Sequence, residues 1–358
     1  MGAPRPIFID GISKAMKSND RPLYDDEPMT GAPVRPAPAD EALRTLVKRV
    51  PEGLRLGTCG WASPGWRGSI YAPSSGTDTL PSAAGLAAYA RYPLVNTVSL
   101  ERHAQRPYGA SDLEAFAAAV PEHFRFTVLM PADVTDPFLR RRDGVPAGDN
   151  PYFLDVAAAA DRLALIAQSL GTKCGPVLLE FAPFPREWTA DATALQQTVG
   201  RLEAFLGELK ARSPDGTVLG AELRTPALLT PRFVSALNRV GVRPVMGLHH
   251  LMPVAVRQSR ALRHAEDPRD ENPDWRFSGP LIVRWSRSAP LAHVLRLPGN
   301  TLPASDPTTR AVISSLAVRA LKSKMPAWIL AGNRAEGSAP GTLRAILEAV
   351  VRQYRESR

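Results

Sequence analysis

From residue 54 onward, short apolar runs alternate with stretches of helical period. The runs are Leu54–Cys59, Leu94–Leu100, Phe124–Met130, Pro176–Phe181, Thr217–Leu223, Val242–Leu248, Leu281–Trp285 and Trp328–Ala331. Several are almost continuously hydrophobic, as strands buried on both faces are. Between them the spacing predicts helices over Pro81–Tyr92, Ser111–Val120, Asp155–Leu170, Leu195–Leu209, Pro231–Val240, Thr309–Leu321 and Thr342–Val351. In Asp155–Leu170, for example, Val156, Leu163, Ile166 and Leu170 share one side. Strand and helix alternating eight times over roughly 300 residues predict a (β/α)8 barrel of the TIM type. An open doubly wound sheet is the alternative. No Gly-x-Gly-x-x-Gly follows a strand and no Gly-x-x-x-x-Gly-Lys-Ser/Thr occurs, so a nucleotide-binding sheet has no motif behind it.

Residues 1–39 hold seven prolines and mixed charges with no apolar period, which predicts a flexible arm. Asp40 then reads as the N-cap of a short leading helix over 40–50, with Leu43, Leu46, Val47 and Val50 on one stripe. That helix is expected to cover the bottom of the barrel. The organisation predicted is therefore an arm, 1–39, and a single barrel domain, 40–358.

Charge changes the picture next. The 358 residues carry a formal net charge of +9, and only seven of the basic residues are lysines. Arginine suits planar anions such as phosphate and carboxylate, although GC-rich coding gives the same excess. Two cysteines, Cys59 and Cys174, exclude a disulfide scaffold. They fall at opposite ends of their strands and are expected not to pair. No apolar run reaches the roughly 18 residues of a membrane helix. The opening Met1-Gly-Ala-Pro-Arg-Pro lacks the form of a secretory signal. A cytoplasmic protein without membrane contact is expected; the oligomeric state is not legible.

In such a barrel the site lies at the C-terminal ends of the strands. Glu222 and Arg224 stand two apart on one strand and must share a face. Unpaired charge facing the helix layer would cost several kcal/mol, so both should point to the barrel axis. The same reasoning turns Glu180 inward above Leu178, Arg284 above Ile282, and Asn333 above Ile329 and Ala331. Trp61 and Trp285 are expected at the rim as flat apolar walls, with Arg102 and His103 beyond the second strand. An internal salt-bridge network closing the core would use these same residues. Basic clusters at Arg140–Arg142 and at Arg257, Arg260, Arg263 and His264 add positive charge to the mouth, together with Arg334. A divalent metal is conceivable on His103, His249, His250, Glu101, Glu180 and Glu222, but no His-Glu-x-x-His or Cys-x-x-Cys occurs.

The residues Leu56-Gly-Thr-Cys-Gly-Trp61-Ala-Ser-Pro-Gly-Trp66-Arg-Gly68, followed by Tyr71-Ala-Pro73, resemble the opening of the YecE-like family, the domain of unknown function 72. The resemblance continues through Tyr89–Val98, Pro121–Phe126, Gly175–Pro183, Ala221–Arg224 and Asn333, over about residues 54–357. It implies a TIM-type barrel and leaves the chemistry open. The chain departs from the family at the mouth. Ser99-Leu-Glu-Arg-His-Ala-Gln105 replaces Glu-Ile-Asn-Ser-Thr-Phe-Tyr. Leu129-Met130 stands where a lysine is usual, and Glu180 where glutamine is.

Three functions fit. The first is a hydrolase or lyase on a phosphorylated sugar or nucleic-acid substrate, with Glu180 or Glu222 as general base and Arg224 and Arg284 holding the anion. The second is a non-catalytic protein binding single-stranded nucleic acid or another anionic ligand. The third is a barrel that has lost its ancestral activity.

Overall fold

The computed structural model describes residues 34–73, 83–101, 107–141, 143–292, 294, 297 and 299–356. Ten strands are present among them: β1 Leu54–Cys59, β2 Thr97–Leu100, β3 Arg125–Leu129, β4 Phe138–Arg140, β5 Pro146–Asp149, β6 Cys174–Phe181, β7 Leu219–Leu223, β8 Arg243–Leu248, β9 Leu281–Trp285 and β10 Ala327–Ala331. Eight form a closed parallel barrel in the order β1-β10-β9-β8-β7-β6-β3-β2. The other two, β4 and β5, make a small antiparallel hairpin in the loop after β3. Sequence pattern did not foresee that hairpin, because its strands are short and show no apolar alternation.

The helices are α1 Glu41–Val47, α2 Ala83–Ala90, α3 Ala110–Ala119, α4 Val156–Leu170, α5 Ala192–Ala211, α6 Pro231–Arg239, α7 Ala255–Glu266, α8 Pro307–Lys322, α9 Asn333–Glu336 and α10 Ala339–Glu356. Their starts follow local chemistry. Asp155 caps α4 by accepting from the Ala158 N–H, and Asp191 caps α5 through the N–H groups of Thr193 and Ala194. Thr230 with Pro231, and Asp306 with Pro307, open α6 and α8 in the same way.

Along the strands alternate residues divide between two apolar compartments. One fills the layer between barrel and helices. The other fills the lumen with Leu178, Val245, Ile282, Trp328 and Leu330, and Cys59, Leu129 and Val218 pack against it. Gly220 belongs to the same interior: a Cβ there would meet Leu178 and Val245 at 2.8 and 2.7 Å. Below the mouth this apolar set packs the lumen, and the inward-facing carboxylates stand above it at the C-terminal end.

Two expectations about the N-terminal segment are corrected. Residues 1–33 lie outside the described residues, but the chain is docked before residue 39. Ala37 N–H donates to the Ile70 carbonyl and Ala72 N–H to the Arg35 carbonyl, and Ala37 is buried. The leading helix does not plug the barrel. Asp40, its N-cap, is bonded by the Arg344 guanidinium of α10 at 2.5 Å, so α1 lies against the outer wall. At the bottom the Trp328 ring is overlain by Arg55. Both cysteines are free thiols. No helix among the described residues is long and apolar enough to cross a membrane.

Candidate active site at the barrel mouth

Glu180 and Glu222 are register partners on β6 and β7. Arg284 is opposite Gly247 of β8 and Leu330 of β10. Each charged side chain stands one step above a lumen position, so all three rise at the C-terminal end. There they form one lattice. Arg284 Nε and Nη2 each donate at 2.9 Å to the two oxygens of Glu101, a bidentate pair, while Nη1 reaches Glu180 at 2.5 Å and Glu222 at 3.1 Å. Arg224 Nη2 donates to Glu180 at 2.5 Å and its Nη1 lies 2.7 Å from Glu222. The lattice requires Gly247. Glu222 must cross β8 to reach Arg284 on β9, and a Cβ at residue 247 would stand 2.7 Å from its Cγ and 2.8 Å from its Oε1.

The three carboxylates are not equivalent. The Glu222 side chain is 0% exposed, whereas Glu180 and Glu101 keep 29% and 24% of their side-chain surface. Glu222 is therefore the buried keystone, and Glu180 and Glu101 present oxygen to the mouth. Burial works to raise the pKa of both exposed carboxylates. The Arg284 guanidinium outweighs it, joined at Glu180 by Arg224, and holds both below the usual carboxylate range. Their partners keep the reciprocal charge: Arg284, fully surrounded, remains a cation despite its burial.

His249 follows β8 beside this lattice. Burial, then the neighbouring Arg224 and His250, push its pKa down to about 3, against the opposing pull of Glu180. The ring is neutral at ordinary pH. Leu251 N–H donates to its Nδ1 at 3.2 Å, which assigns the ring proton to Nε2. Cys59 also faces this space. Burial and the Glu101 carboxylate raise its thiol pKa well above the usual value, so it is no thiolate nucleophile.

Of the residues singled out from the sequence, Glu180, Glu222, Arg224 and Arg284 meet in one cluster. Asn333 does not join them. Strand β10 turns Trp328 and Leu330 into the lumen and Ile329 and Ala331 outward, the reverse of the expected facing. Asn333 instead opens α9. Its Oδ1 accepts from Trp66 Nε1 at 3.0 Å and Ala339 N–H at 2.9 Å, and its Nδ2 donates to Ser63 Oγ at 3.0 Å. It ties the loop after β1 to the loop after β10. The rim tryptophans are also corrected. Trp61 is buried edge-on against Phe116 of α3, and Trp285, next to the inward Arg284, points into the helix layer and is buried. Arg102, His103 and Arg142 lie outside the described residues.

The basic clusters divide as well. Arg140 is clamped on Asp136, and Arg141 lies 3.4 Å from Asp143. Arg257, Arg260 and Arg263 run along α7, which descends the outer wall, and Arg263 pairs with Asp270 near its foot. Sequence reasoning placed Glu101 at the mouth, after the second strand, but only as one acidic group and possible metal donor there, and it missed Arg287. Glu101 could have been found, since it continues the inward parity of Thr97 and Ser99 one step past β2. Among the described residues no group of three His, Cys, Asp or Glu side chains is disposed to hold a metal ion. Glu101, Glu180 and Glu222 direct their oxygens at guanidiniums.

Fold and mouth together define a (β/α)8 barrel with an arginine–glutamate lattice at the C-terminal end of its strands. Residues 55–357 match the family described as protein of unknown function DUF72, and the chain belongs to that family. A DUF72 family protein from Thermotoga maritima has a similar structure at 14% identity, with a TM-score of 0.50 over 85% of this chain and 98% of that one. One from Enterococcus faecalis gives 14% identity and a TM-score of 0.46 over 83% and 95%. A D-psicose 3-epimerase, in a structure obtained in the presence of D-fructose, gives 12% identity and 0.41 over 77% and 92%. No curated protein matches the chain.

Proposed function

We propose that the barrel mouth is the active site of a lyase-type enzyme acting on a small anionic, polyhydroxylated substrate, with Glu180 as the proton acceptor. The observation that carries this reading is the pairing of an ionised, partly open carboxylate with a neutral imidazole. Glu180 accepts a proton from carbon, and His249 Nε2–H donates to the carbonyl oxygen that gains charge in the transition state. The guanidiniums that keep Glu180 ionised also make it a weak base. Proton abstraction therefore demands a C–H already acidified by a neighbouring carbonyl, which is the role left to His249. Glu222 and Arg224 position Glu180, and Arg284 orients both Glu180 and Glu101.

The hydrolase branch is less well supported. Acid-assisted glycoside cleavage needs one carboxyl held protonated, and both open carboxylates are held ionised by Arg284. A non-catalytic anion-binding role is the second reading; the internal pairing of the whole lattice favours it.

Proton NMR in D2O with a panel of phosphorylated aldoses, ketoses and sugar acids separates the two. The enzyme reading predicts deuterium wash-in or elimination for at least one substrate. Glu180→Gln should abolish it, and His249→Gln should slow it by about 10²–10³-fold. Saturable binding across the panel with no exchange at all would leave only the binding reading.

A further inference from the structure

The lattice uses up the arginines that a substrate anion would first be assigned to. Arg284 commits Nε, Nη1 and Nη2 to carboxylates, and Arg224 commits both terminal nitrogens. A second group of guanidiniums lies where the loops after β9 and β10 meet. Ser288 N–H donates to the Arg334 carbonyl at 2.8 Å, so Arg287 and Arg334 leave adjacent stretches of backbone. The Arg287 N–H and the Ser286 N–H both bond the Leu248 carbonyl at the end of β8, which fixes this loop beside His249.

Arg287 is half-buried, and among the described residues no carboxylate forms an ion pair with it; its Nη1 reaches only the Ala292 carbonyl, at 3.5 Å. Burial, and then the charges of Arg334 and Arg224, lower its pKa from the ordinary arginine value. The Ser288 hydroxyl oxygen is shut away from solvent without a hydrogen-bond partner. A half-buried guanidinium that no carboxylate pairs and a buried hydroxyl without a hydrogen-bond partner both raise the free energy of the protein. A bound oxyanion removes both penalties at once.

We propose that Arg287, Arg334 and the Ser288 hydroxyl form a subsite for the phosphoryl group of a phosphomonoester substrate, beside the Glu180–His249 pair. The assignment rests on the reading of Glu180 and His249 as the reacting pair only for what lies next to the phosphate, not for the phosphate site itself. The subsite is small: its residues come from two stretches of backbone joined by one hydrogen bond, and Arg334 is near enough to lower the pKa of Arg287. A nucleic-acid strand needs a line of phosphate contacts, and the arginines that could extend such a line, Arg140 and Arg141, are paired with aspartates.

Isothermal titration of the full chain with inorganic phosphate at low ionic strength tests the site without requiring turnover. Saturable binding is expected. Arg287→Gln and Arg334→Gln should each weaken it at least about tenfold. Glu180→Gln, which removes a negative charge that acts on Arg287, should not weaken it, and Arg287→Lys should retain part of it. Unchanged melting temperatures establish that the variants are folded. Absence of phosphate binding to the folded wild type, or binding indifferent to Arg287→Gln, overturns the subsite. A single-stranded oligonucleotide that binds more tightly than ribose 5-phosphate overturns the phosphomonoester assignment. Phosphate binding without Glu180-dependent exchange sinks the catalytic reading alone. Exchange without phosphate binding sinks the subsite alone.

Discussion

Glu222 and Glu180 sit side by side with the same guanidinium partners, yet they should respond differently to substitution. Glu222 is sealed between Arg224 and Arg284. Replacing it by Gln leaves two buried cations short of one charge, a loss on the order of 3–5 kcal/mol. Glu180 holds the same two cations but is partly open to water, which can solvate what it releases, so its replacement by Gln should cost less, about 1–3 kcal/mol. Urea denaturation of the two variants checks the contrast; equal losses would show that Glu180 is as structural as its neighbour. The opening motif is also structural at this scale. Thr58 Oγ1 donates to the Gly60 carbonyl at 2.5 Å, Tyr89 donates to the Thr97 carbonyl at 3.2 Å, and Trp66 reaches Asn333. The residues that make the family recognisable hold the first loop in place, which is why they identify the fold and not the reaction.

At the scale of elements, strand facing was legible only where a strand carried charge. Glu180, Glu222 and Arg284 betray which parity faces the axis, because a charge cannot sit in the apolar outer layer. Strand β10 is apolar at every position, with no such marker, and its facing was read one residue out of step; Asn333 was misplaced with it. Trp285 was recoverable, since the alternation that turns Arg284 inward turns its neighbour outward. The hairpin of β4 and β5 was hidden by its polar residues, and with it the local pairing of Arg140 to Asp136 that takes this arginine away from a ligand. Gly247 shows the reverse case: an unremarkable glycine in an apolar run is what lets Glu222 reach across β8. Gly247→Val should expel the Glu222 side chain and destabilise the protein by about 1–3 kcal/mol through overpacking, plus the broken pair. Combined with Glu222→Ala, the valine should cost less than in the wild type, and a double-mutant cycle reads that coupling. Strict additivity would mean that the two residues do not meet.

For the whole molecule, the alternation of apolar runs and helical periods yielded all eight strands of the closed barrel, with ends displaced by up to three residues, because parallel strands buried on both faces leave a strong pattern. The function was less legible. A barrel sets where chemistry can occur, and the side chains that make it possible come from separate loops whose meeting no spacing encodes. The lattice fills the mouth with three carboxylates and two guanidiniums, one negative charge in excess, while the loops after β8, β9 and β10 bring a neutral histidine and further guanidiniums beside it. On the proposed function the mouth divides into a fixed acid–base floor and a basic wall, with Glu180 working as a carboxylate and His249 as a neutral donor.

That claim is tested most directly by the pH dependence of the deuterium-exchange rate at saturating substrate. Because Glu180 is held below the usual carboxylate range and His249 titrates near 3, the rate should be flat from about pH 5 to 8, with its acid limb below about 4.5. An acid limb centred near 6.5 would show that a histidine must lose a proton in the working range, and would contradict both assignments.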